Sequence, residues 1–181
     1  MMESSAAEGT TLPNLGHHDE VATATAVRAL PTMRPDVDAD EPAFRAIFVA
    51  IRRAPMDAAG FDADTVERLV QHQFDLQRAG YRYTFPLAET DAIVVGDEVV
   101  GRLITDHSGE QVVLVDIMIE PARQQQGIGT HVLRELIARH PGRSIELRVD
   151  HGAPAEAWYH RHGFEQVGAD QVQAHLVRVP D

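Results

Sequence analysis

Apolar residues recur along this chain with two different periods, and the change of period marks out its elements. Phe44, Ile47, Phe48 and Ile51 fall at helical spacing after Asp40, a capping residue, with Pro42 in the first turn. Val66, Leu69, Val70, Phe74 and Leu76 predict a second helix over about Ala63–Ala79, capped by Asp62 or Asp64 and stopped by Gly80. A linker with Tyr81, Tyr83, Phe85 and Pro86 comes next, and then the period drops to two. Ala92–Val95 and Val99–Ile104 read as strands joined at Gly96-Asp97-Glu98, a hairpin signal. Ser108-Gly109-Glu110 turns the chain into Gln111–Ile119, whose near-continuous apolarity predicts a central strand covered on both faces.

The remainder alternates again. Ile128, Val132, Leu133, Leu136 and Ile137 predict a helix over Gly127–His140, ended by Pro141-Gly142. Ser144–Val149 reads as a strand, Pro154–His162 as a short helix, and Glu165–Val167 and Val172–Val179 as two last strands. A first strand is expected over Val27–Met33, with Pro31 marking an edge or an end. The order β-α-α-β-β-β-α-β-α-β-β, without repeats, predicts one mixed α/β domain over 25–181. Residues 1–24, rich in Ser, Thr, Ala, Gly and acids, read as a disordered tail.

Length and composition narrow the classes. The 181 residues suffice for one domain with a real core. A formal charge of −12 disfavours nucleic acid and leans towards cationic partners. Zero cysteines exclude disulfides and thiol nucleophiles, and fit a cytoplasmic protein. No signal peptide or membrane-spanning run is evident, so no membrane partner is expected. No metal site is expected either: His17 and His18 are read as incidental, and His160 and His162 are two apart on a helix and point to different sides.

The most chemical stretch is Ile119–Thr130, IEPARQQQGIGT. An apolar strand ends, a glycine-bearing loop succeeds it, and a helix begins. Such a junction aims unpaired N–H groups and the positive end of a helix dipole at one point, where a phosphate or diphosphate fits. The N–H groups of Gln125, Gln126, Gly127, Ile128, Gly129 and Thr130 are the candidate cradle, with the Thr130 hydroxyl as an extra donor.

Gln124-x-x-Gly127-x-Gly129, together with Ala155, Tyr159, Gly163 and Phe164 at Ala-x-x-x-Tyr-x-x-x-Gly-Phe spacing, resembles the GNAT superfamily of acyl-CoA-dependent N-acyltransferases. The resemblance spans about residues 25–179. It implies a single mixed sheet with splayed central parallel strands flanked by helices. It also implies transfer of an acetyl group from acetyl-CoA to a primary amine by direct attack in a ternary complex, with no metal. Two positions depart from the family pattern: Gly152 stands where Asn is frequent, and Gln124 where Arg is commoner.

On that resemblance, Ile117, Met118 and Ile119 offer backbone partners to the pantetheine arm, facing Leu147, Arg148 and Val149. Tyr159 takes the place of the acid that protonates the leaving thiolate. Asp116 is the candidate base, its pKa expected to be raised by burial. Simple alternation sets Asp116 on the face of Leu114 and Met118, opposite to the one expected of a base, unless a bulge reverses the parity. His107, Glu110 or a water chain are the other candidates for that role. Tyr81, Arg82, Tyr83 and Phe85 are expected to line the acceptor pocket, and a homodimer through C-terminal strands fits this fold. An acyl-CoA-binding sensor without turnover and an unrelated phosphate-binding α/β protein are the alternative readings.

Overall fold

The computed structural model describes residues 29–180, apart from the side chains at 54, 55, 57 and 58. The expected tail, His17 and His18, and Val27 and Arg28 of the expected first strand lie outside the described residues. The first strand, β1, is instead Thr32–Pro35, and it forms one edge of the sheet, where proline leaves no ladder bond unmade. Asp40 does not cap the first helix. It closes a 3-10 turn, Asp38–Asp40, and its carboxylate turns back to accept from the Val37 N–H and from both terminal nitrogens of Arg34.

Helix α1 spans Glu41–Ala58 and α2 spans Ala63–Thr84, with Asp62 accepting from the Thr65 N–H as expected of a cap. Gly80 does not end α2. Its position faces open space, and the helix runs on for another turn. An isolated glycine weakens a helix by roughly 1 kcal/mol, less than the packing of Tyr81 beyond it can supply. The buried face of α2 is Val66, Val70 and Phe74, whereas Leu69 and Leu76 are exposed.

The strands β2 (Glu89–Val95), β3 (Glu98–Asp106), β4 (Val112–Ile119), β5 (Ile145–Asp150), β6 (Glu165–Ala169) and β7 (Gln173–Arg178) complete a seven-stranded sheet. Its order is β1-β2-β3-β4-β5-β7-β6, which sets β4 in the middle as its apolarity required. The β2–β3 hairpin closes with Val95 opposite Glu98 and Gly96 at φ 64°, the left-handed turn residue that the Gly96-Asp97 signal announces. Helices α3 (Ile128–Arg139) and α4 (Pro154–Arg161) cover one face. There Val132, Leu133, Leu136, Tyr159 and Phe164 meet Val112, Leu114, Ile145 and Leu147. On the other face Phe44, Ile47, Phe48, Val70 and Phe74 of α1 and α2 pack on Ala92, Val94 and Met118.

The middle of the sheet is irregular in two places. β4 and β5 are the parallel pair, yet they pair only at Val112–Ile145, Val113–Glu146 and Leu114–Leu147, after which they part. Against β3, the register steps from Ile104–Asp116 to Thr105–Leu114, leaving Val115 as an extra, bulged residue.

Candidate active site

The bulge decides which way Asp116 points. Before it, the even residues Val112 and Leu114 enter the core under α3 and α4; after it, the odd residues Ile117 and Ile119 do. Met118 accordingly packs with α1 and α2. Asp116 thus shares a face with Met118 but not with Leu114, and lies on the side of the first two helices. Simple alternation would keep it on the side of Leu114; the inserted Val115 reverses the parity.

Asp116 is not alone there. Arg102, in the middle of β3 and only 4% exposed, donates from Nη2 to Asp116 Oδ2 at 2.7 Å. The carboxylate therefore sits against a guanidinium, not in unrelieved apolar surroundings as the sequence suggested. Its other oxygen, Oδ1, has no hydrogen bond among the described residues. Arg102 was missed at the sequence level, although the signal existed: one lone cation and one lone anion interrupt adjacent apolar strands.

The parting of β4 from β5 frees main-chain groups. The Glu120 N–H donates to the Val100 carbonyl, so in this antiparallel pair Met118 and Asp116 also aim their main-chain groups at β3. Ile117 and Ile119 aim theirs into the gap beside β5. Met118 is thereby removed from the expected set of backbone partners. The Ile119 carbonyl is taken by the Gln124 side chain, whose Nε2 donates to it at 3.0 Å. Gln124 is thus a latch between the loop and the strand end, and Gln126 is another, donating from Nε2 to the Ala122 carbonyl.

Those latches hold a loop whose N–H groups stay open. Gln124 N–H donates to Pro121 O, and His131 N–H donates to Gly127 O. Between them, the N–H groups of Gln125, Gln126, Gly127, Ile128, Gly129 and Thr130 have no acceptor among the described residues. Gln125 at φ 58° and Gly127 at φ 84° are both left-handed, which turns successive amides to one side as in an anion-binding nest. The Trp158 indole donates to Thr130 Oγ1 at 3.3 Å, leaving the hydroxyl proton of Thr130 to point elsewhere. The same ring lies 3.6 Å from where a Gly129 Cβ would be, so α4 and the start of α3 are docked on each other.

Tyr159 is buried between Trp158 and Phe164, with ring centroids 4.8 and 5.4 Å away. Its hydroxyl has no hydrogen bond among the described residues. Burial first, and then the Asp116 charge, push its pKa well above the ordinary phenol value. Tyr81, on the added turn of α2, is pushed up by the same two causes in the same order. The Asp116 charge is thus felt by a ring on α2 and by a ring on α4.

Tyr81, Arg82 and Phe85 line a cavity of about 150 Å³ between α1, α2 and the strands β2 and β3. Tyr83 does not. Extension of the helix through Gly80 turns it to solvent, and it is 91% exposed. His107 is also remote, with Nε2 at 3.0 Å from Glu89 and its ring against His140, and Glu110 is an exposed loop residue. Among the described residues, no group of three or more His, Asp or Glu side chains is arranged to hold a metal ion. None of the helices there is long and apolar enough to cross a membrane.

Residues 82–166 match the family model described as the acetyltransferase (GNAT) domain. No curated protein sequence matches the chain. Among solved structures, a histone acetyltransferase HPA2-related acetyltransferase from Corynebacterium glutamicum is similar at 19% identity and TM-score 0.61, covering 84% of this chain and 97% of that one. An acetyltransferase from Thermus thermophilus is similar at 22% identity and TM-score 0.61, with 83% and 97% covered. The PaiA N-acetyltransferase of Thermoplasma acidophilum, solved with coenzyme A, is similar at 13% identity and TM-score 0.60, with 82% and 98% covered.

Proposed function

We propose that this chain is a GNAT acetyltransferase and moves an acetyl group from acetyl-CoA to a primary amine. The observation that carries this reading is the run of six open amide N–H groups from Gln125 to Thr130 beside the gap between β4 and β5. The amides and the dipole of α3 suit the diphosphate of coenzyme A. The free main-chain groups of Ile117 suit the amide-rich pantetheine arm, which would lie in the gap as an additional strand. A coenzyme A complex of the Thermoplasma PaiA structure supports the same donor class here.

In this reading the amine attacks the thioester carbonyl carbon, the C–S bond breaks, and coenzyme A leaves as a thiolate. Asp116 offers Oδ1 to an N–H of the incoming amine and takes the proton that the nitrogen loses as the C–N bond forms, with Arg102 holding the other oxygen still; the proton then passes through solvent to the departed thiolate. The Tyr159 hydroxyl, protonated at neutral pH as any phenol is and made a weaker acid still by its raised pKa, hydrogen-bonds the sulfur as negative charge develops. A thiol near pKa 8.5 is a stronger acid than this phenol, so Tyr159 stabilises the thiolate chiefly as a hydrogen-bond donor.

One observation favours a second reading, a CoA-binding module with little turnover: the Asp116 carboxylate at the gap is already engaged by a guanidinium. Free-thiol release from acetyl-CoA across an amine panel separates the two. Turnover that falls about 100-fold in Tyr159→Phe, with CoA affinity kept, supports catalysis. CoA binding with no thiol release for any amine would remove the transferase and leave the module.

A further inference from the structure

The cavity between α1, α2 and the strands is lined by more cations than acids. Three arginines line it, Arg78, Arg82 and Arg102, against two acids, Asp36 and Glu41. The overall acidity of the chain is therefore not repeated in this lining. Glu41 is already engaged, accepting from both Arg45 and Arg78. Asp116 answers only one nitrogen of Arg102, and Gln77 Oε1 reaches that same nitrogen at 3.4 Å.

The Arg102 Nε–H is buried and has no acceptor among the described residues. Its guanidinium carbon lies 5.8 Å from the centre of the Phe44 ring and 5.7 Å from that of Phe74, both of them walls of the same cavity. Arg82, at the end of α2, has no ion pair among the described residues. Burial first, and then the neighbouring Asp40, raise the Asp36 carboxyl from its ordinary value, while Arg78 acts in the opposite sense.

A buried donor left unpaired is unfavourable, and an incoming acceptor oxygen relieves it. A guanidinium prefers a planar pair of oxygens above other acceptors. The position also suits a substrate with two ends. Arg102 on β3 is adjacent to Asp116 on β4, so an anionic group at Arg102 leaves the amine of a small molecule within reach of Asp116 and the gap. The cavity volume, about 150 Å³, suits a body of amino-acid size.

We infer that the acceptor amine is an amino acid or similar small aminocarboxylate, its carboxylate received by Arg102 Nε and Arg82, an inference that rests on the transfer reading above. The test uses matched sets built on glycine, leucine and phenylalanine, each supplied as amino acid, carboxamide and decarboxylated amine. Thiol release from acetyl-CoA and calorimetric binding to the CoA-loaded protein are both measured. The expected result is at least one set in which the amino acid exceeds its carboxamide by 10-fold or more in kcat/KM. Arg102→Lys keeps a cation for Asp116 but removes Nε–H, and should erase most of that preference through KM. Arg82→Gln, an exposed change, should reduce it several-fold and serves if the first variant fails to fold. Equal or better use of the carboxamide or plain amine in every set overturns the inference. If no amine releases thiol, binding decides: carboxylate-dependent binding keeps the site and sinks the transfer reading, and binding blind to the carboxylate sinks the site.

Discussion

Gly152 shows how far a single position can be read. It stands where the family pattern frequently has Asn, its φ is +71°, and a Cβ built on it would meet nothing within 4 Å. Asn is the side-chain-bearing residue that best tolerates such a conformation. Gly152→Asn is therefore expected to fold normally and, on the resemblance, to bind CoA several-fold more tightly, the yield of about one hydrogen bond. Titration calorimetry of both proteins with CoA reads this directly, and unchanged affinity would mean that the missing amide is not the contact the pattern implies. Gln124 teaches the complementary lesson. Its type fits the diphosphate motif, but its side chain closes the loop on Ile119, a use that its residue type alone does not announce.

Elements were legible where one local rule sufficed. Asp62 caps α2, the Gly96-Asp97 hairpin closes where its turn residues require, and the apolar run Val112–Ile119 is central. The failures came where tertiary packing overrode a local stop, as at Gly80. With open space around it and a helical backbone, Gly80→Ala should stabilise the protein by roughly 0.5–1 kcal/mol, measurable as a higher urea midpoint. Gly101 should respond in the opposite sense. A Cβ there would stand 2.4 Å from the Met118 carbonyl oxygen, which belongs to the ladder between β3 and β4 and cannot move aside alone. Gly101→Ala is expected to cost about 3 kcal/mol or abolish folding, because overpacked sites are destabilising even for one methyl group. A fully soluble variant with an unchanged melting temperature would show that these strands are less tightly joined.

At the scale of the molecule, charge pairs tie distant segments together and make stability depend on pH. Arg34 and Asp40 join the edge strand to the turn before α1 through two bonds of 2.6 and 2.8 Å. The Arg34 hydrogen bond holds the buried Asp40 carboxyl below its usual range. A carboxyl with a lowered folded-state pKa contributes fully above its unfolded value of about 3.9, and the contribution is lost as pH falls through the folded one. Asp40→Asn should accordingly lower the urea midpoint at neutral pH, and the difference from the parent should shrink as pH falls below about 3.9. A gap that stays constant down that range would assign the loss to packing instead.

What the chain determines unaided is the inventory: element order, the central strand, the loop composition that leaves amides open, and the tyrosine at its family spacing. These come from periodicity and turn chemistry, which act over a few residues at a time. What only the three-dimensional structure decided is direction. One bulged residue, Val115, turns Asp116 towards the first two helices; one extra turn past Gly80 brings Tyr81 to the wall of the cavity beside Arg102 and sends Tyr83 into solvent; and Arg102 meets Asp116, 14 residues further along the chain, because their two strands lie side by side. Side-chain direction in a strand reverses with every inserted residue, and in a helix with every half turn, so it is fixed by packing across the whole sheet and not by any local stretch.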